Sequence, residues 1–496
     1  MNIFKDRFSE IKKASEPLYK SPKSVQETIE ILKISESGIF EVADGKYSKT
    51  YRFSDVNYAT RSEDEQESFF QRYCKCLNSF DCTFKITVNN KNKDMDVLRN
   101  EVMLKYRNDG FDKMRESYNR IIEEKILEGR QGIEQERYLT ITIERKNFEE
   151  AKAQFATIEA SMFRSFAELG SKLTPLTGNE RLKILHDYYR LGREDEFNFD
   201  IRQGRITGTD FRNEICNTRI KYHPDYFENE GKVGRVLFIK KYPTYLSDRF
   251  FTELTFLPVH SVTSVDVVPV PKDLTMKMLQ KKYLGIESDI IKQQRTRNRN
   301  NDFSSEISYA TRQKKKDIEE IMNNVRENDE SLYYVSVTMI VMADDRDELE
   351  SICETVDSVS KGAGCAVDTC MYKQREAVNT TLPIGVRQIE TMRTMLTQSL
   401  AVLMPFNVQE LCDRNGIYYG VNQISKNIIV GNRKKLLNGN GFIFGVSGAG
   451  KSFQAKMEMG SVLLSTDDNV IAVDPMNGAK RSYLKRVGAI FIKLYA

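Results

Sequence analysis

Eight residues, Gly445-Val446-Ser447-Gly448-Ala449-Gly450-Lys451-Ser452, fit the pattern G-x-x-x-x-G-K-[ST]. The chemistry this spacing serves is the holding of a nucleoside triphosphate. Gly445, Gly448 and Gly450 permit backbone turns closed to other residues and let the main chain approach phosphate oxygens. Successive N–H groups of such a loop point inward as an anion nest. A helix that begins where the loop ends adds the positive end of its dipole. Lys451 has the reach and the charge for the β- and γ-phosphates, and the Ser452 hydroxyl suits a Mg²⁺ shell. Residues 445–453, Phe453 included, are therefore the expected nucleotide contacts. Lys451 is the expected catalytic cation, and ATP with Mg²⁺ the expected cofactors.

The flanks agree with this reading. "GFIFGV" (441–446) reads as an apolar strand entering the loop, and "SFQAKMEMGSVLLS" (452–465) as a helix leaving it. Residues 470–473 read as a buried parallel strand with Asp474 at its C-terminal end, where functional residues gather in an open α/β sheet. Two roles are open to Asp474. It is either the Walker B carboxylate that holds Mg²⁺ through water or a loop residue at the edge of the site. The brief helix between the strands, and the absence of a second acid after Asp474, favour the edge.

Other chemistries have less to work with. The three histidines, His186, His223 and His260, are far apart in sequence, which argues against a histidine-based catalytic zinc. Eight cysteines without CxxC spacing read as free buried thiols in a reducing compartment. Cys74, Cys76 and Cys82 are the one group close enough in sequence to suggest a metal. A net charge of +4 does not by itself point to a nucleic-acid partner.

The elements that must position the loop occupy the rest of the chain. Its 496 residues suffice for roughly three domains. With 40% hydrophobic and 29% charged residues the composition is that of a globular protein. No run approaches 18 uninterrupted apolar residues, and "MNIFKDRFSEIKKASEPLYK" lacks the apolar core of a secretory signal. Residues 1–24 read as an N-terminal arm in which Ile3, Phe4, Phe8 and Ile11 can share a helical face. A first α+β block spans 25–200. It holds a hairpin over 38–58 turning at Asp44-Gly45, a helix near 63–77, the strand "CTFKITV", a helical stretch over 97–129, the strand "RYLTITI" and a helix over 148–169. This β-α-β-α order opens a ferredoxin-like unit.

A second block, 201–378, repeats the order. "SVTSVDVVPV" (261–270) is a strand, 273–327 a long charged helical stretch, 331–343 a strand, 345–364 a helix and 365–372 a strand. Residues 292–316 carry eight Lys or Arg against two acids. They read as a solvated helical surface, with contact to DNA or to an acidic protein as the functional alternatives. Only Phe303 and Tyr309 interleave with these charges, which is thin for single-strand stacking. A linker is expected over 379–415, followed by an incomplete P-loop NTPase domain over 416–496.

The stretch "IYYGVNQISKNIIVGNRKKLLNGNGFIFGVSGAGKSFQAKMEM", followed by "NVIAVDP", resembles the TraE/TraC-type conjugative-transfer ATPases, the large VirB-class ATPases of type IV secretion. "NTTLPIG", "LMPF", "DVNY" and "RYLTITI" are family-like as well. The resemblance implies an oligomeric ATPase with a RecA-like motor, docked through its N-terminal region on inner-membrane channel proteins at the cytoplasmic face. It implies that ATP drives assembly of the apparatus or transfer of its substrate. Two departures matter. The family's Glu-Tyr pair after Asp-Pro is matched by Gly478 and Ala479. The chain also stops before the later acidic motif, so weak hydrolysis or none is expected from these residues alone. The alternatives are a channel-docking interaction module with a non-hydrolysing loop, and a translocase that grips DNA directly.

Overall fold

A computed structural model describes residues 22, 24–92, 102–128, 133–243, 245–257, 259–299, 309–327, 329–413, 416–424, 427–473 and 490–492. Most of the expected N-terminal arm, Phe303 and Asp474 lie outside the described residues. The fold is mixed α and β, built on one large antiparallel sheet.

Its strands are β1 (Lys33–Ile34), β2 (Ile39–Ala43), β3 (Lys46–Phe53), β4 (Thr83–Asn92), β5 (Ile133–Glu144), β6 (Leu173–Pro175), β7 (Ile220–Tyr222), β8 (Phe227–Asn229), β9 (Lys232–Lys241), β10 (Ser261–Val270), β11 (Leu332–Ala343), β12 (Ala366–Thr369) and β13 (Arg393–Leu396). They run in the order β1-β2-β3-β5-β4-β10-β11-β9-β8-β7, with β6 on β3, β12 on β9 and β13 on β11. Asp44-Gly45 makes the β2–β3 turn, with Gly45 at φ 65°.

Two units with the same connectivity lie side by side in this sheet. In the first, the spatial order is β6-β3-β5-β4; in the second it is β12-β9-β11-β10. Numbered within each unit, both read fourth-first-third-second. Each carries a helical insertion between its second and third strands. The second strands meet at a central seam, antiparallel from Ser261 opposite Asn90 to Val267 opposite Phe84. The two blocks expected from the sequence thus share one hydrogen-bonded sheet.

Alternation along the strands assigns the faces. Phe84, Ile86, Val88, Leu139, Ile141, Val265, Val267, Val335 and Val337 point to one side and form the main core. Helices Glu63–Asn78, Phe148–Leu169, Arg249–Thr255 and Arg346–Gly362 contribute to the same core. Their starts are written locally. Ser62 with Glu65 forms a capping box, Asn147 accepts from the Glu150 N–H, and Asp345 from the Glu348 N–H.

The opposite face is polar at its centre, and the expected linker lies on it. Residues 379–388 form a buried strap whose carbonyls are met by side chains of the sheet. Ser48 donates to Ile384 O (2.6 Å), Thr142 to Gly385 O (3.0 Å) and Ser264 to Thr381 O (2.5 Å). Arg181 donates to Pro383 O and Ile384 O. Arg387 forms a two-pronged pair with buried Asp266 (3.0 and 2.9 Å). Buried carbonyls need donors, so hydroxyls and cations on one sheet face convert a connection into a packed element. Farther on, β13 and helix Thr397–Ala401 also pack on the sheet.

The charged stretch expected as one helix over 273–327 is two, Lys272–Arg299 and Tyr309–Glu327. They lie against each other through Tyr283–Glu319 (3.1 Å) and Lys315–Glu287 (3.1 Å), so part of the basic run is spent within the insertion. In the first insertion, the helix expected over 97–129 is described as Asp112–Glu128.

Candidate nucleotide-binding site

The C-terminal part contains a hairpin, β14 (Ile417–Val421) with β15 (Ile428–Gly431), and a parallel pair, β16 (Ile471–Val473) with β17 (Ile490–Ile492). Between them runs helix Lys451–Ser465. Loop, helix and strand follow in the expected order, with one correction. Residues 441–446 form no strand. Nothing in the structure pairs with them, and Phe442 and Phe444 lie 83% and 86% exposed, stacked on each other at 5.7 Å. An apolar sequence becomes a strand only where a neighbouring strand takes up its backbone groups.

The loop itself has the required shape. Gly448 (φ 84°) and Gly450 (φ 87°) both take left-handed backbone, and space around both is open. The Ala449 N–H donates to Val446 O at 3.2 Å, and the Gln454 N–H to Gly450 O at 2.9 Å, which starts the helix. The loop closes tightly at Gly445, where a Cβ would stand 3.2 Å from the Ala449 Cβ and 3.3 Å from the Lys451 Cγ. The Lys451 ammonium folds back on the loop and donates to Gly445 O (2.5 Å) and Val446 O (2.8 Å). Ser452 and Phe453 are exposed in the first turn. Val446, Ser447 and Ala449 complete the same exposed stretch.

This helix begins differently from the other long helices. Its N-cap is Gly450, which offers no side-chain acceptor to the free N–H groups of the first turn. Those donors, the open glycines and the lysine fit a phosphate group. Ser452 fits Mg²⁺ as a hydroxyl donor beside it. Asp474, the other expected metal contact, lies outside the described residues.

Several residues that support the helix went unnoticed in the sequence. Glu458 accepts from Tyr419 (3.0 Å) and pairs with Arg433 (2.6 Å), tying the helix to the hairpin. Arg433 also donates to the Tyr419 hydroxyl at 3.0 Å and lies against the backbone at Gly441. Lys434 pairs with Asp468 at 2.6 Å. Arg107 and Arg115, from the first insertion, reach the other end of the helix. These partners lie up to 349 residues away in sequence, so no local pattern marks them.

The thiols are placed elsewhere. Cys74, Cys76, Cys216, Cys365 and Cys370 are buried, and Cys412 is exposed. Burial pushes the thiols of Cys74, Cys76, Cys82 and Cys370 up to about 12, which keeps them protonated and inert near neutrality. His260 is buried in apolar surroundings that pull it down to about 4. Among the described residues no group of three or more His, Cys, Asp or Glu side chains is disposed to hold a metal. No described helix is long and apolar enough to cross a membrane. Compared with known proteins, the chain matches no family model and no curated protein.

Proposed function

We propose that this chain binds ATP with Mg²⁺ through Gly445–Ser452 and serves as the ATP-dependent subunit of a conjugative-transfer or type IV secretion apparatus. The observation that carries the nucleotide reading is the uncapped helix start at Gly450, set behind two glycines in left-handed backbone with Lys451 across the loop. That arrangement leaves a run of N–H donors and one ammonium for an anion with several oxygens. Lys451 neutralises the β- and γ-phosphates, Ser452 holds Mg²⁺, and bound Mg²⁺ supplies charge neutralisation at the phosphates.

The wider reading rests on the motif order and on the chain's resemblance to the TraE/TraC-type ATPases. In that reading the two sheet units are ferredoxin-like and face inner-membrane channel proteins. Residues 416–496 open a RecA-like motor that works as a homo-oligomer at the cytoplasmic side of the membrane.

Titration of the 496-residue chain with a fluorescent ATP analogue in Mg²⁺ tests the nucleotide reading. Saturable binding that unlabelled ATP competes away, and that Lys451→Ala loses, is the expected result. Equal binding by Lys451→Ala overturns the assignment.

A further inference from the structure

Helix Lys451–Ser465 is about 22 Å long at 1.5 Å per residue. Its N-terminal end carries the phosphate loop. Its C-terminal end is held by an element from a distant part of the chain, the insertion between β4 and β5. Arg115 donates through Nε to Leu464 O at 3.2 Å. Arg107 donates to Ser465 O (3.0 Å) and Thr466 O (3.4 Å) and pairs with Asp467 at 2.6 Å. Two guanidinium groups thus satisfy carbonyls that the end of a helix leaves without partners, and they complement its negative dipole end.

The grip is stiff. The Arg115 side chain is 1% exposed. Asp109 holds it with both carboxylate oxygens at 2.6 Å, and Asp112 adds a third bond at 2.8 Å. Asp112 also accepts the backbone N–H groups of Arg107 (3.0 Å) and Asn108 (2.9 Å), so one carboxylate fixes both arginines. Asn119 closes the turn from the other side, bonding Leu104 N (2.8 Å) and Leu104 O (2.9 Å). A small apolar cluster completes the joint. Val102 and Ile122 of the insertion pack with Ile428 and Val430 of β15, and Tyr118 accepts the Tyr418 N–H at 3.3 Å.

We infer that the Arg107–Arg115 clamp couples nucleotide occupancy of the loop to the first sheet unit, through the β4–β5 insertion. This rests on the nucleotide reading above and adds the regulation of that site. A helix is a rigid strut, and a ligand that reorients its start also displaces its end. The clamped insertion continues into β4, the strand that forms the seam with β10. Coupling is reciprocal, so whatever holds the insertion also changes nucleotide affinity.

Hydrogen exchange read by mass spectrometry, with and without ATP and Mg²⁺, tests the inference. The expected result is added protection over 445–454 together with changed protection over 104–122. In the double variant Arg107→Ala with Arg115→Lys, ATP affinity is expected to stay within about fivefold, the lower end of usual couplings. Protection over 445–454 is expected to persist while the nucleotide-dependent change over 104–122 disappears. A purely structural role for the arginines would alter baseline exchange and leave the nucleotide-dependent difference in place, which overturns the inference. It is also overturned if the unaltered chain binds ATP, protects 445–454 and leaves 104–122 unchanged. That outcome leaves the nucleotide reading intact. Failure of the unaltered chain to bind ATP overturns both. The unaltered chain decides alone if the double variant does not fold.

Discussion

The ammonium of Lys451 donates to the carbonyl oxygen of Gly445 at 2.5 Å, across the loop that the two residues bound. A second bond, to Val446 O at 2.8 Å, completes the fold-back. The cation therefore already sits over the loop, and a triphosphate replaces two carbonyl acceptors with charged oxygens. Charge-assisted bonds contribute about 1.5–3 kcal/mol each. Lys451→Ala is thus expected to weaken ATP binding by about tenfold to a hundredfold. Its thermal unfolding midpoint should stay within about 1 °C, because an exposed substitution away from packed features changes little. Isothermal titration and a melting curve on the same sample check both halves.

Ser452 separates the metal from the phosphate. It is exposed in the first helical turn, so Ser452→Ala leaves the packing of helix Lys451–Ser465 intact. Unaltered protein is expected to bind ATP more tightly with Mg²⁺ than with EDTA. In Ser452→Ala that difference should shrink by about an order of magnitude, one hydrogen-bonding ligand being removed. An unchanged Mg²⁺ dependence would exclude Ser452 as a metal ligand.

Gly385 and Gly448 offer a contrast between two glycines of similar backbone. Gly385 has φ 97°, and a Cβ there would stand 2.6 Å from the Ser48 Cβ and 2.7 Å from the Thr142 Oγ1. Gly448 has φ 84° and nothing within 4 Å. Alanine at either position meets left-handed strain of about 1–2 kcal/mol. At Gly385 it must also push the strap off the sheet, and loss of one buried bond adds about 1–3 kcal/mol. Urea denaturation should therefore show Gly385→Ala destabilised by about 3 kcal/mol and Gly448→Ala by about 1 kcal/mol.

Lys85 makes a pH prediction. Its buried ammonium donates to Thr380 O, to Leu382 O at 3.3 Å and to Val386 O at 3.1 Å. Burial pulls it down to about 8, the nearby Asp266 opposing. An unfolded lysine titrates near 10.4. Between these values the unfolded chain holds a proton that the folded chain has lost, so stability rises with pH. Below about 8 both states are charged and the slope vanishes. The stability difference between unaltered protein and Lys85→Met should be flat from pH 6 to 7.5. From pH 8 to 10 it should grow in favour of the unaltered protein, by about 1.4 kcal/mol per unit at most. Denaturation midpoints at each pH measure it, and a flat difference throughout would place the Lys85 titration outside this window.

Much of the local structure was legible before any coordinates. The Asp44-Gly45 turn, the caps at Ser62, Asn147 and Asp345, and strand 261–270 depend on neighbours within a few residues, and pattern carries that information. The loop at 445–452 belongs to the same class, since its turns come from its own glycines. Strand status for 441–446 was misjudged because it depends on a partner and not on apolar content. The strap at 379–388 looked like a linker because its donors, Ser48, Thr142, Arg181 and Ser264, sit in other elements.

By itself, then, the sequence determined the element types over most of the described chain and the chemical identity of the phosphate loop. Both follow from short-range rules of backbone freedom, capping and alternation. Only the tertiary structure decided that two units with the same connectivity join through β4 and β10 into one sheet. It alone placed Arg115 against Leu464 and Lys85 under the strap. Those outcomes depend on which backbone groups are left without partners after the local elements form, and on which distant side chains have the charge and reach to meet them.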